Sequence, residues 1–204
     1  MFLSAPPSDQ LVKDVYDAAN VEDGYVANYL RLWCWRPDVH AAFSNARALL
    51  LNRTSLTARE IAVLNTATAR GLGDSYCSIA WGTKLANLID SASAAAVLRR
   101  DAAPALSQRE RALASWASAV VAQPNSATRQ DVERMLAAGF SEQEIFDATT
   151  FVAFRLAFST VNDALGAQPD PQLAKEAPPE VLASVRYGRS VAGAAADRSD
   201  RNDA

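Results

Sequence analysis

The chain has 204 residues, half of them hydrophobic, and a net charge of −3, so it can bury a full core as one large domain or as a domain with appendages. Its charges are mixed, with no basic stripe to neutralise phosphates, which argues against nucleic-acid binding. No apolar run approaches the roughly 18 residues of a membrane span. The opening Met1-Phe2-Leu3-Ser4-Ala5-Pro6-Pro7 lacks the charged start and long apolar centre of a signal peptide, so a cytoplasmic protein with no membrane partner is expected.

Asp9 is placed to cap a first helix running to about Ala19, and a second is expected from Glu22 to Trp35, with Tyr25, Tyr29, Leu32 and Trp33 on one face. Arg36-Pro37-Asp38 breaks it, because the residue before proline avoids helical angles while Pro37 suits a helix start. The third helix runs to about Leu51 with Val39, Ala42, Phe43, Ala46, Leu49 and Leu50 on an apolar side. His40, the only histidine, lies one step off that side and reads as a surface or boundary residue rather than a catalytic one. Cys34, between two tryptophans, reads as a small buried apolar residue.

Three helix starts are sharply marked. Thr57 with Glu60, Ser107 with Glu110 and Ser141 with Glu144 are capping boxes, and Leu56/Ile61 and Phe140/Ile145 have the spacing of hydrophobic staples. Between the first two boxes fall a helix from about 75 to 90 and a short one from Ser91 or Ser93 to Arg100. Thr128 caps a helix that ends at Gly139. The helix after Ser141 runs to about Leu165 and is apolar nearly all round, which places it in the core or at an oligomer interface. Arg155, in its midst, needs a partner if buried, and a carboxylate is expected. With no convincing period-two strand, the fold class is all-α. Pro169, Pro178 and Pro179 punctuate an extension from 168 that docks on the body or links onward. Its end, 194–204, is small and charged and is expected to be disordered.

The chemistry-bearing stretch is Gly71-Leu72-Gly73-Asp74-Ser75-Tyr76-Cys77-Ser78-Ile79-Ala80-Trp81. Asp74 or Ser75 can cap a helix whose first turn holds Cys77, where the helix dipole favours a thiolate. An ionised Asp74 nearby works against that thiolate. Glu60 is the candidate proton acceptor, or simply the capping partner of Thr57. Asp74 and Glu60 could also divide acid and base roles between them. Neither a cofactor nor a metal is expected.

Arg59-Glu60 followed by Tyr76-Cys77-Ser78-Ile79-Ala80-Trp81-Gly82 resembles the core motif of the alkylhydroperoxidase D-like, or carboxymuconolactone decarboxylase, superfamily. Leu106–Leu113, Gly139–Ala148 and Val161–Gly166 are similar to its peroxidase-related branch, and the likeness covers about residues 20–167. It implies an all-α bundle assembled as a homo-oligomer (dimer, trimer or hexamer). The family pattern is a glutamate, a Cys-x-x-Cys and a histidine four residues on. The glutamate matches Glu60 and the peroxide-attacking cysteine matches Cys77. Asp74 stands at the resolving cysteine and Trp81 at the histidine, with Tyr76 and Trp81 as expected pocket residues. The resemblance implies a peroxide-reducing oxidoreductase working through Cys77 alone on a small-molecule substrate, resolved by an external thiol. The alternatives are a catalytically degenerate oligomer that binds a small apolar ligand or partner, and a non-redox decarboxylase-like enzyme. A depressed Cys77 pKa would favour the first, an inert buried thiol the second, and a raised carboxylate pKa near a polar pocket the third.

Overall fold

The computed structural model describes residues 1–194. The disorder expected of the charged end falls, from 195 on, outside the described residues. Eleven α-helices and no strand occur among the described residues, as the capping signals and helical periodicities require. No described helix is long and apolar enough to cross a membrane.

Helix α4 (Ala58–Leu72) is the axis of the molecule. Every residue from Glu60 to Ala69 is buried, because α5 (Ser75–Leu88), α6 (Ser91–Arg99), α7 (Gln108–Ala122) and α9 (Glu142–Ala164) enclose it. The core between them holds Leu64, Leu85, Leu98, Leu113 and Val152, each fully buried. Each such leucine contributes roughly 1.5–3 kcal/mol by leaving water. All three expected capping boxes form, and Thr128 with Asp131 makes a fourth at the start of α8 (Arg129–Ala137). The staple residues Leu56, Ile61, Phe140 and Ile145 are all buried in the same core.

The N-terminal third departs from the sequence reading. Helix α1 (Gln10–Asp23) is capped by Asp9 as expected but runs four residues further, to Asp23, where Gly24 at φ 76° takes the left-handed conformation that closes the helix. The expected second helix therefore shrinks to α2 (Asn28–Trp33). Helix α3 (Pro37–Arg53) begins at Pro37, yet no residue of it is buried, and Leu49 and Leu51 face outward. Its apolar side covers the bundle only partly.

The C-terminal extension docks on the body. Pro171 and Pro179 open α10 (Pro171–Glu176) and α11 (Pro179–Ser184), and Val181 is fully buried against α5 and α6. The Asp170 carboxylate accepts from the Asn28 N–H at 2.9 Å and from the Tyr76 hydroxyl. Ser75 Oγ donates to the Arg189 carbonyl at 2.7 Å, and the Tyr187 hydroxyl donates to Ser78 Oγ at 3.0 Å. Gly188 passes so close to the start of α5 that a Cβ on it would lie 2.6 Å from the Gly73 carbonyl oxygen.

Candidate active site

Asp74 sits at the N-cap of α5. Its Oδ1 accepts from the Cys77 N–H at 2.9 Å, which fixes Cys77 in the first turn. Its Oδ2 accepts from Ser159 Oγ on α9 at 2.6 Å, and that hydroxyl lies 3.8 Å from Cys77 Sγ. One helical turn before Ser159, Arg155 points Nη1 at the same sulfur from 3.2 Å. The Arg155 Nε donates to Asn65 Oδ1 at 3.2 Å, and the Asn65 amide is held in turn by the Ile61 carbonyl. Trp33, Ala69 and Phe158 pack around the thiol.

Cys77 is 3 % exposed, and burial is the largest influence on its thiol. Together with the Asp74 carboxylate it pushes the pKa up to about 12, against the opposing pull of Arg155 and Ser159. The thiolate expected from the helix N-terminus is therefore not the resting form. Desolvation outweighs the dipole, and the thiol is protonated at neutral pH.

Arg155 is buried, but its partner is not the expected carboxylate. It is held by the Asn65 carbonyl, the Cys77 sulfur and the faces of Trp81 and Phe158, 5.3 and 5.4 Å from its guanidinium carbon. Among the described residues no carboxylate lies within ion-pair distance of it.

Glu60 is placed elsewhere. One carboxylate oxygen accepts from the Thr57 N–H at 2.8 Å and the other pairs with Arg109 Nε at 2.5 Å. It lies nine residues along α4 from Ala69, which touches the thiol cluster, or about 13 Å of helix rise. Its oxygens are committed at the far end of α4, whereas Asp74 reaches the sulfur through Ser159. The Tyr76 hydroxyl is spent on Asp170, and Tyr76 does not line the cavity that Trp81 faces. Trp81 does line a cavity, of about 250 Å³, together with Asn65 and Arg155.

His40 packs against the Tyr29 and Trp33 rings, with centroids 6.4 and 5.5 Å apart, and burial lowers its pKa. Cys34 belongs to a separate cluster with Val12, Ala19 and Leu30, and both thiols are free. Burial raises the pKa of two carboxylates, Asp170 and Asp163, and the charge of Asp74 adds to the rise at Asp163, to about 6.

Sequence reasoning missed Ser159 and Asn65 as site residues and had Arg155 only as a cation in search of a partner. The available signal was the pair Arg155 and Ser159, polar residues four apart in a helix otherwise apolar nearly all round.

No protein-family model matches the chain, and no curated protein matches it. Solved structures do. An uncharacterized peroxidase-related protein from Silicibacter sp. TM1040 superposes with a TM-score of 0.75 at 20% identity, over 84% of this chain and 93% of that one. An uncharacterized peroxidase-related protein from Ralstonia eutropha JMP134, described as an alkylhydroperoxidase AhpD core, gives 0.68 at 22% identity, over 91% and 98%. The debrominase Bmp8 gives 0.71 at 14% identity, over 91% and 98%. A cysteine-to-alanine variant of Bmp8 in complex with 2,3,4-tribromopyrrole gives 0.69 at 14% identity, over 85% and 95%. The chain has the alkylhydroperoxidase D-like fold that its sequence resembled.

Proposed function

We propose that this protein is a thiol-dependent oxidoreductase in which Cys77 reduces a small electrophilic molecule, a peroxide in the first place. The observation that carries the reading is the guanidinium of Arg155, buried with no carboxylate beside it among the described residues and aimed at Sγ from 3.2 Å. Burying an uncompensated cation costs several kcal/mol. A cysteine that only fills space gives no reason for that cost, whereas a thiolate forming in the transition state does.

In the first step sulfur attacks the terminal peroxide oxygen and the O–O bond breaks. Sulfur is oxidised to a sulfenic acid and the peroxide is reduced to an alcohol. The thiol proton leaves by way of Ser159 and Asp74 and ends on the alkoxide. Two equivalents of an external thiol then return Cys77 to its reduced form, with a disulfide and water as products. Cys34 lies in another cluster and takes no part.

The raised Cys77 pKa and its burial favour a second reading, a ligand-binding protein with an inert thiol. Peroxide treatment of the reduced protein, with sulfenic acid trapped and located by mass spectrometry, separates the two. Oxidation confined to Cys77, faster than that of a free thiol and absent in Cys77→Ser, supports the enzyme. A rate no faster than a free thiol leaves the binding protein. A halogenated aromatic, the kind of ligand held by the Bmp8 variant, is the second substrate class to try.

The reading includes a homo-oligomer, for which Leu49, Leu51 and Phe146 supply outward apolar surface. Sedimentation at micromolar concentration is expected to return more than a monomer.

A further inference from the structure

The cavity beside the thiol has a marked charge pattern. It lies between α3, α4, α5 and α9, and its walls carry three cations, Arg47, Lys84 and Arg155, with no aspartate or glutamate. Its apolar surface combines three rings, Trp81, Phe151 and Phe154, with the aliphatic Leu51 and Ile61.

The two guanidiniums share one ring, with Arg47 5.9 Å and Arg155 5.4 Å from the centre of Phe158. Lys84 Nζ stands 4.9 Å over Trp81, the ring that Arg155 also faces. Among the described residues none of the three cations has a carboxylate within ion-pair distance. Arg155 presses on the charge of Arg47, whose pKa is lowered by burial and by that neighbour. Two other part-buried arginines in this molecule are neutralised, Arg59 by Glu110 and Arg109 by Glu60 and Glu144. Like charges converging on a half-enclosed apolar cavity are unfavourable unless an anion enters.

We infer that this cavity binds a small aromatic or short-chain anion, its carboxylate or phenolate against Arg47 and Arg155 and its apolar body on Trp81, Phe151 and Phe154. The volume of about 250 Å³ lies below the roughly 300–1,000 Å³ usual for larger ligands, so one ring or a short chain fills it. The inference deepens the oxidoreductase reading by naming its substrate class: the anion would present its reactive atom toward the sulfur that Arg155 touches.

The test is calorimetric titration of the full chain with benzoate and with benzamide, which share a ring and differ in charge. Wild type and Cys77→Ser are both expected to bind benzoate at least tenfold more tightly than benzamide. In Arg47→Gln the preference is expected to fall to about threefold or less, with the far-UV circular dichroism spectrum retained. Equal binding of the two probes, or an undiminished preference in the Arg47→Gln, Lys84→Gln double variant, overturns the inference. Because Cys77→Ser has no thiol, a benzoate preference alongside slow peroxide oxidation would sink the redox chemistry alone. Fast oxidation with no preference would sink the anion site alone.

Discussion

At Cys77 the Asp74 carboxylate pulls against Arg155 and Ser159, and its share can be isolated by substitution. Asp74→Asn keeps an N-cap acceptor but removes the charge that raises the thiol. In a Cys34→Ser background, alkylation of Cys77 at pH 8 is expected to speed up by about tenfold in Asp74→Asn, one pKa unit of thiolate population. The rate should rise with pH in both proteins, since the thiol of about 12 is protonated throughout the accessible range. Asp163 offers a second test. Its folded pKa of about 6 lies above the ordinary carboxylate value, so the folded state holds a proton that the unfolded state releases. Stability then falls as pH rises from about 4 to 6, and the loss persists above that window. Asp163 is only half-buried, so solvent screening limits the effect to about 1 kcal/mol. Asp163→Asn should raise the melting temperature at pH 7.5 by a few degrees and leave it unchanged at pH 4.

Among the elements, α4 and α7 begin with matching signatures that interlock. Arg59 beside one capping box pairs with Glu110 of the other, and Arg109 pairs back with Glu60. Both oxygens of Glu60 are thus engaged in holding a helix start. Glu60→Gln keeps an acceptor for the Thr57 N–H but leaves Arg109 with Glu144 as its one carboxylate among the described residues. We expect a loss of about 1–2 kcal/mol in urea unfolding, with the peroxide oxidation rate of Cys77 within twofold of wild type. A large rate loss without a stability loss would return Glu60 to the reaction. The helix starts were legible in the sequence because a capping box is a local signal, complete within four residues. So was the placement of Cys77 one turn after Asp74. What was not legible is non-local: Arg155 and Ser159 reach Cys77 across about 80 residues of chain. The split between α1 and α2 was missed for a different reason. Tyr25 and Tyr29 fit helical spacing, but Gly24 can adopt a positive φ at no steric penalty and Asp170, far along the chain, takes the Asn28 N–H.

On the scale of the whole molecule, the C-terminal extension completes the core rather than trailing from it. Gly82 on α5 shows how closely. A Cβ there would lie 2.9 Å from both Leu98 Cδ1 on α6 and Val181 Cγ1 on α11. Gly82→Ala should destabilise the protein by about 1–3 kcal/mol through overpacking, read as a lower denaturation midpoint with an unchanged slope. The prolines that marked this segment in the sequence left docking on the body and linking onward both open, because among its described residues Val181 alone is fully buried and one valine makes no pattern.

The crossed pairs between α4 and α7 also restrict how the chain can change over time. Losing Arg59 or Arg109 strands a buried carboxylate on the opposite helix start, and losing Glu110 strands Arg59, whereas Arg109 keeps Glu144 when Glu60 goes. Descendants of this sequence therefore cross a valley of reduced stability before a compensating replacement arrives. These four positions should drift as couples, Arg59 with Glu110 and Arg109 with Glu60, while the loop between α4 and α5 is free of that bond.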